Sequence, residues 1–86
     1  MYDETKTNKP TDRLRDGLLE AAIWANPSKD GNGQRYSVEF TRRYQAGDGE
    51  WQTSRTFSNA ELLRLAYLAT QAYGRINQLR STDQAA

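Results

Sequence analysis

Four aromatic side chains, Trp24, Tyr36, Tyr44 and Trp51, are interleaved along the middle of the chain with Arg35, Arg42, Arg43 and Arg55. Flat rings offer stacking surfaces to nucleobases and guanidinium groups offer donors to phosphates, the combination with which proteins hold single-stranded nucleic acids. Other chemistry is thinly supplied. The chain has no histidine and no cysteine, which leaves proton transfer near neutral pH to carboxylates, lysine, hydroxyls and tyrosine. It also removes disulfides, thiolate metal sites and cysteine nucleophiles together. No catalytic set is expected, and the chain does not read as an enzyme. Asp48 and Glu50 stand two apart in a glycine-flanked loop, yet a calcium loop needs several more oxygen ligands at fixed spacing, so a solvated turn is expected and no metal site. Gly31 and Gly33 lack the following Lys-Ser/Thr pair of a phosphate loop and are expected to be turn residues. No cofactor is implied.

Whether the aromatic and basic side chains share a surface depends on strand parity. Residues 18–26 alternate so that Leu19, Ala21, Ile23 and Ala25 fall on one side and Glu20, Ala22 and Trp24 on the other, which predicts a strand. Asn26-Pro27-Ser28 and Asp30-Gly31-Asn32-Gly33 supply turn chemistry after it. Residues 35–44 are the clearest strand, with Tyr36, Val38 and Phe40 alternating against Arg35, Ser37, Glu39, Thr41 and Arg43. Gly47-Asp48-Gly49 then allows a tight turn, and residues 51–57 return as a third strand. On this parity Trp24, Arg35 and Arg43 project from one polar face and are the first candidates for contact with a single strand of DNA or RNA. Arg42, Tyr44, Arg55 and Trp51 come second. Glu20 and Glu39 lie on the same face and oppose phosphate. Trp51 shares a parity with Phe57, which points to a core anchor, and Arg42 and Arg43 could instead make cross-strand pairs with Asp48 or Glu50.

Ser58 followed by Glu61 is a capping box, so a helix is predicted from there. Leu62, Leu65, Ala66, Ala69, Ala72, Tyr73, Ile76 and Leu79 recur at three- and four-residue spacings as one apolar stripe, with Arg64, Gln71, Arg75 and Gln78 opposite. Leu63, Tyr67, Thr70 and Gly74 form a second, narrower line. Gly74 costs a helix interior about 1 kcal/mol relative to alanine, which a close approach of a second backbone would explain. This line is the expected contact of a homodimer. The elements together make an α+β domain: a three-stranded antiparallel meander, with a fourth strand left open, followed by one amphipathic helix packed on one sheet face.

Composition sets the outer limits. Eighty-six residues support one core, 36% hydrophobic and 27% charged, with a mean hydropathy of -0.97. Burial is sparse at this size, so a partner that covers more surface is physically attractive. Twelve basic against eleven acidic residues give a net charge of +1, so any anion-binding patch must be made by folding rather than by a basic tail. Residues 1–11 are expected to be a disordered leader, 12–80 the domain and 81–86 a frayed tail. No apolar run is long enough to span a bilayer and the N-terminal residues do not resemble a signal peptide; together with the lack of cysteine this favours a cytoplasmic protein with no membrane partner.

The run Val38-Glu39-Phe40-Thr41-Arg42-Arg43-Tyr44, then Gly47-Asp48-Gly49-Glu50-Trp51, then a leucine-rich helix starting near Ser58, resembles the transcriptional positive cofactor four family of single-stranded DNA-binding domains. The resemblance covers residues 35–65. It implies a curved antiparallel sheet followed by a helix, dimerisation through the helices, and single strands held on the sheet by basic and aromatic residues. After Trp51 that family continues through a proline into a Lys-Lys-Gly turn and a fourth strand, whereas this chain reads Gln52-Thr53-Ser54-Arg55-Thr56-Phe57. The segments Ala21-Ala22-Ile23-Trp24-Ala25-Asn26, Arg35-Tyr36-Ser37-Val38 and Gln71-Ala72-Tyr73 also look like a group of small uncharacterised bacterial proteins. The function these observations imply is a homodimeric module that binds single-stranded nucleic acid with little sequence preference. The alternative is a protein-protein interaction module without nucleic-acid binding.

Overall fold

The computed structural model describes residues 9–29 and 33–85, with helix side chains as far as residue 81. Most of the expected leader, residues 1–8, lies outside the described residues, as do loop positions 30–32 and the last residue. Four strands run in the order β1 (Asp12–Asp16), β2 (Leu19–Pro27), β3 (Gln34–Gln45) and β4 (Trp51–Ser54), each antiparallel to its neighbour in sequence. A 3-10 turn (Asn59–Glu61) leads into α1 (Leu62–Ala85), so the helix passes the end expected near residue 80. Among the described residues no helix is long and apolar enough to cross a membrane.

The alternation in residues 18–26 resolves as expected. Leu19, Ala21 and Ile23 are buried, and the register sets Ala21 against Phe40 and Ile23 against Val38. Because successive side chains point to opposite faces, this register gives the sheet one apolar face and one polar face. The fourth strand comes at the other end of the sheet from the position left open after Trp51. Gly17 and Leu18 form a two-residue turn between β1 and β2, with Gly17 at φ 64°. A positive φ at the first turn position is what joins two right-twisting strands without splaying them, and only glycine holds it without strain. β4 is shorter than expected. The hydroxyl of Ser54 lies 2.8 Å from that of Thr56 and accepts the Thr56 amide at 3.0 Å, turning the chain out of the sheet before Phe57.

The helix begins where the capping box places it. The Ser58 amide donates to Glu61 Oε1 at 2.9 Å, and the Glu61 amide donates to the Ser58 carbonyl at 2.9 Å. Its rotation about its own axis differs from the expected one. Leu68, absent from the expected stripe, is 1% exposed and joins Leu19 and Ala21 in the core, with Leu14, Val38, Phe40, Phe57 and Leu65 around them. Ala72 is buried beside this cluster, whereas Leu62 and Tyr73 are 51% and 70% exposed. Arg75, expected on the solvent side, instead reaches β1, where its Nε donates to Asp12 Oδ2 at 2.6 Å. The physical reason is that the helix carries apolar residues on more than one side. Full burial of one leucine contributes about 1.5–3 kcal/mol, so seating Leu68 over the sheet, with Arg75 meeting Asp12 two turns on, outweighs burying Tyr73 or small alanines.

Candidate nucleic-acid interface

Parity and register sort the candidate side chains between the two faces. The helix covers the side that carries Leu14, Leu19, Ala21, Val38 and Phe40. The other side carries Arg13 and Arg15 from β1, Glu20, Ala22 and Trp24 from β2, Arg35, Ser37, Glu39, Thr41 and Arg43 from β3, and Trp51 and Thr53 from β4. Arg55, just past β4, turns back onto this side and pairs with Glu39. Trp24, Arg35, Arg43, Trp51 and Arg55 therefore share the uncovered face.

Arg42 and Tyr44 do not share it. Arg42 lies 3.3 Å from Glu61 Oε1 through its Nε, which also donates to the Thr56 carbonyl at 3.1 Å, and its guanidinium sits 5.4 Å from the centre of the Tyr44 ring. These contacts tie the end of β3 to the start of α1, so Glu61 both caps the helix and anchors the sheet. Both residues have the parity of Phe40, which directs them to the helix side. The turn residues Asp48 and Glu50, the expected partners of the two arginines, serve the hairpin instead: Asp48 Oδ1 accepts the Glu50 amide at 3.0 Å.

Trp51 corrects the core-anchor expectation. It is 52% exposed and carries the Arg43 guanidinium over its ring at 5.1 Å from the centroid. Phe57 is half-buried against the core by way of the turn after Ser54, so the parity that linked it to Trp51 is broken. A guanidinium on an indole is an attractive pair in its own right and a platform of the kind that stacks on bases. Arg13, Arg15, Glu20, Thr41, Arg43 and Trp51 line one shallow depression. Glu39, Thr41, Thr53 and Arg55 line a neighbouring one. Trp24 and Arg35 lie towards the far end of the β2–β3 hairpin; eight residues of strand separate Arg35 from Arg43, about 26 Å at roughly 3.3 Å per residue.

The electrostatics are set by which groups stand tallest. Glu20 lies across β1 from Arg15, and its oxygens are 3.1 Å from Arg15 Nη2 and 3.5 Å from Arg13 Nη1. Its side chain is 15% exposed while those of the two arginines are 53% and 54% exposed. Arg55, 76% exposed, pairs with Glu39, which keeps 39% of its side chain exposed. Solvent thus meets the guanidinium groups of β1 ahead of the Glu20 carboxylate, while Glu39 stays accessible beside Arg55. Five arginines against two glutamates leave this face with three net positive charges on a chain of net +1. Arg13 and Arg15 were not among the candidates, because their strand is not apolar; their i, i+2 spacing next to Asp16-Gly17 is the signal that places them.

Comparisons with protein-family models, with curated proteins and with solved structures find no match to this chain.

Proposed function

We propose that the uncovered sheet face binds single-stranded nucleic acid with little sequence preference, in a protein that acts as a homodimer. The observation that carries this reading is the segregation of charge: a nearly neutral chain turns five arginines to one face, and the two carboxylates there are paired with three of them. A face with exposed guanidinium groups and the Arg43–Trp51 stack suits a flexible backbone whose bases lie outward for stacking. Phosphate contact and base stacking carry no base-edge information, which supports tolerance of sequence.

The test is a titration of fluorescently labelled oligothymidylate and oligouridylate of about 20 nucleotides by anisotropy. Binding is expected at about 50 mM salt, with a log–log salt slope of about -2 to -3.5 if three to five arginines contact phosphates at roughly 0.7 each. The slope separates the DNA or RNA reading from its alternative. A protein-interaction module would leave both oligonucleotides free at 50 mM salt and tens of micromolar protein, and that result would remove the proposal.

A further inference from the structure

We infer that a single strand lies lengthwise on the uncovered face, in a channel between arginine rims, and that Trp24 and Trp51 stack on bases at its ends and set a span of about five nucleotides per protomer. This rests on the single-strand reading above and adds the path and length of the ligand. The channel follows from which residues the strands turn outward. The inner strands carry short or low groups there: Ala22 is 7% exposed, Ser37 and Thr41 are small, and Glu20 sits low. The outer positions carry long ones, Arg13 and Arg15 on β1 and Arg55 past β4, all more than half exposed. The two depressions on this face share Thr41 and Thr53 and so run into one another. Glu20 and the taller Glu39 each pair with a rim arginine, so neither leaves an uncompensated negative charge on the line.

Each end of the channel has an indole with cations beside it. Trp51 faces Gln45 across the β3–β4 ladder and carries Arg43 over its ring. Trp24 is part-exposed and faces Ser37 across the β2–β3 ladder; Ser37 and Ala22, its neighbours across and along the sheet, are small. Lys29 and Arg35 stand together just beyond it, where a phosphate stacked past Trp24 needs partners.

The sheet converts these positions into a length. From Ser37 to Gln45 is eight residues of β3, about 26 Å, and from β2 to β4 is two strand spacings, about 10 Å, which sets the two tryptophan positions about 28 Å apart. An unstacked strand advances about 7 Å per nucleotide, twice its rise in a duplex, so about four steps and five nucleotides join them. A strand laid across the sheet instead spans three spacings, about 14 Å or roughly three nucleotides, and never meets Trp24. It would also have to climb over the arginines at both sides. Lengthwise, the phosphates keep an arginine within reach on either side while the bases pass over the small inner residues from one indole to the other.

Anisotropy titrations of labelled oligothymidylates from about three to about eight nucleotides long, at about 50 mM salt, test the span; the series stops there because a second protomer can share longer strands. Affinity should rise at least about thirty-fold from three nucleotides to six, and less than about three-fold from six to eight. Trp24→Ala should weaken binding of the six-mer about five- to one-hundred-fold, the loss of one stacked base, and leave the trimer, held at the Arg43–Trp51 end, within about two-fold; Trp24→Phe should keep most of the wild-type affinity. Arg35→Ala, at an exposed position, should lower the magnitude of the six-mer's salt slope by about 0.7 without changing the trimer's. Thermal melts check that each variant is folded. A plateau at three or four nucleotides, a folded Trp24→Ala protein that holds the six-mer as the wild type does, or a six-mer salt slope indifferent to Arg35→Ala overturns the inference and leaves single-strand binding standing. A wild type that binds neither these nor the strand of about 20 nucleotides removes the single-strand reading and the inference with it.

Discussion

Replacing Glu20 by glutamine should strengthen oligonucleotide binding rather than weaken it. In the free protein this carboxylate sits low in the sheet face, 15% exposed, and takes up the charge of both Arg13 and Arg15. A phosphate seated on those two guanidinium groups would lie about 6 Å from it. At that distance a unit repulsion is worth about 0.7–1.4 kcal/mol for an effective dielectric of about 40–80, a three- to ten-fold gain in affinity once the charge is gone. Because two arginines are released, the salt slope should steepen by up to about 1.4, at 0.7 per phosphate contact. The gain should fade by about 300 mM salt, where the Debye length is shorter than the site. Two exposed ion pairs are lost from the fold, each worth about 0.2–1 kcal/mol or less, so a thermal melt must accompany the anisotropy titration. A folded Glu20→Gln protein with unchanged or weaker affinity at about 50 mM salt would show that Arg13 and Arg15 do not touch phosphates, and would sink the charge argument for this side of the face.

Three further outcomes concern the fold. Leu68→Ala should destabilise the protein by about 2–5 kcal/mol in urea denaturation, since the side chain is 1% exposed and a cavity would remain, whereas Leu63→Ala, at 84% exposed, should change stability by less than about 0.5 kcal/mol. Gly17→Ala should cost about 1–2 kcal/mol, because φ 64° is strained for any residue with a Cβ; the Arg64 guanidinium, 2.6 Å from where that atom would stand, can swing aside and adds little. The Arg75 side chain, by hydrogen bonding, holds the Asp12 carboxyl below its ordinary value of 3.8, helped by the Arg13 amide and opposed by partial desolvation. A lowered folded-state value means that this pair stabilises the protein fully above about pH 4 and that its contribution is lost as the pH falls through the lowered value. Asp12→Asn should therefore be less stable at neutral pH and show a shallower decline below pH 4 in acid denaturation.

Much of this architecture can be read from residue types, for reasons that differ by element. β2 and β3 are legible because one face of each is buried and the alternation is clean, as Leu19, Ala21 and Ile23 against Val38 and Phe40 illustrate. The start of α1 is legible because Ser58 and Glu61 act locally, within three residues. β1 is not, because an edge strand needs only one apolar residue, Leu14, and its charges are what keep such an edge soluble. Asp16-Gly17 ahead of an apolar run was the available hairpin signal. The rotation of α1 is a tertiary choice: several helix sides carry apolar residues, and only contact with Leu19 and Ala21 selects Leu68. At the candidate interface, Trp24, Arg35 and Arg43 follow from parity alone. Trp51 does not, since parity carried through to Phe57 breaks at the Ser54–Thr56 turn, and the roofing of Glu20 depends on arginines from the strand that was not foreseen.

The Asp12–Arg75 pair joins residues 63 apart, the first strand to the fourth turn of the last helix. Every other large contact in the sheet is between neighbours in sequence, joined by loops of two to six residues. Such a meander can zip up hairpin by hairpin with little loop-closure entropy, and its apolar face then waits for one long return. The clasp lies where that return is completed. It couples the fraying of β1 to the lifting of the helix, so amide exchange in the edge strand should slow when the pair is present and quicken in Asp12→Asn.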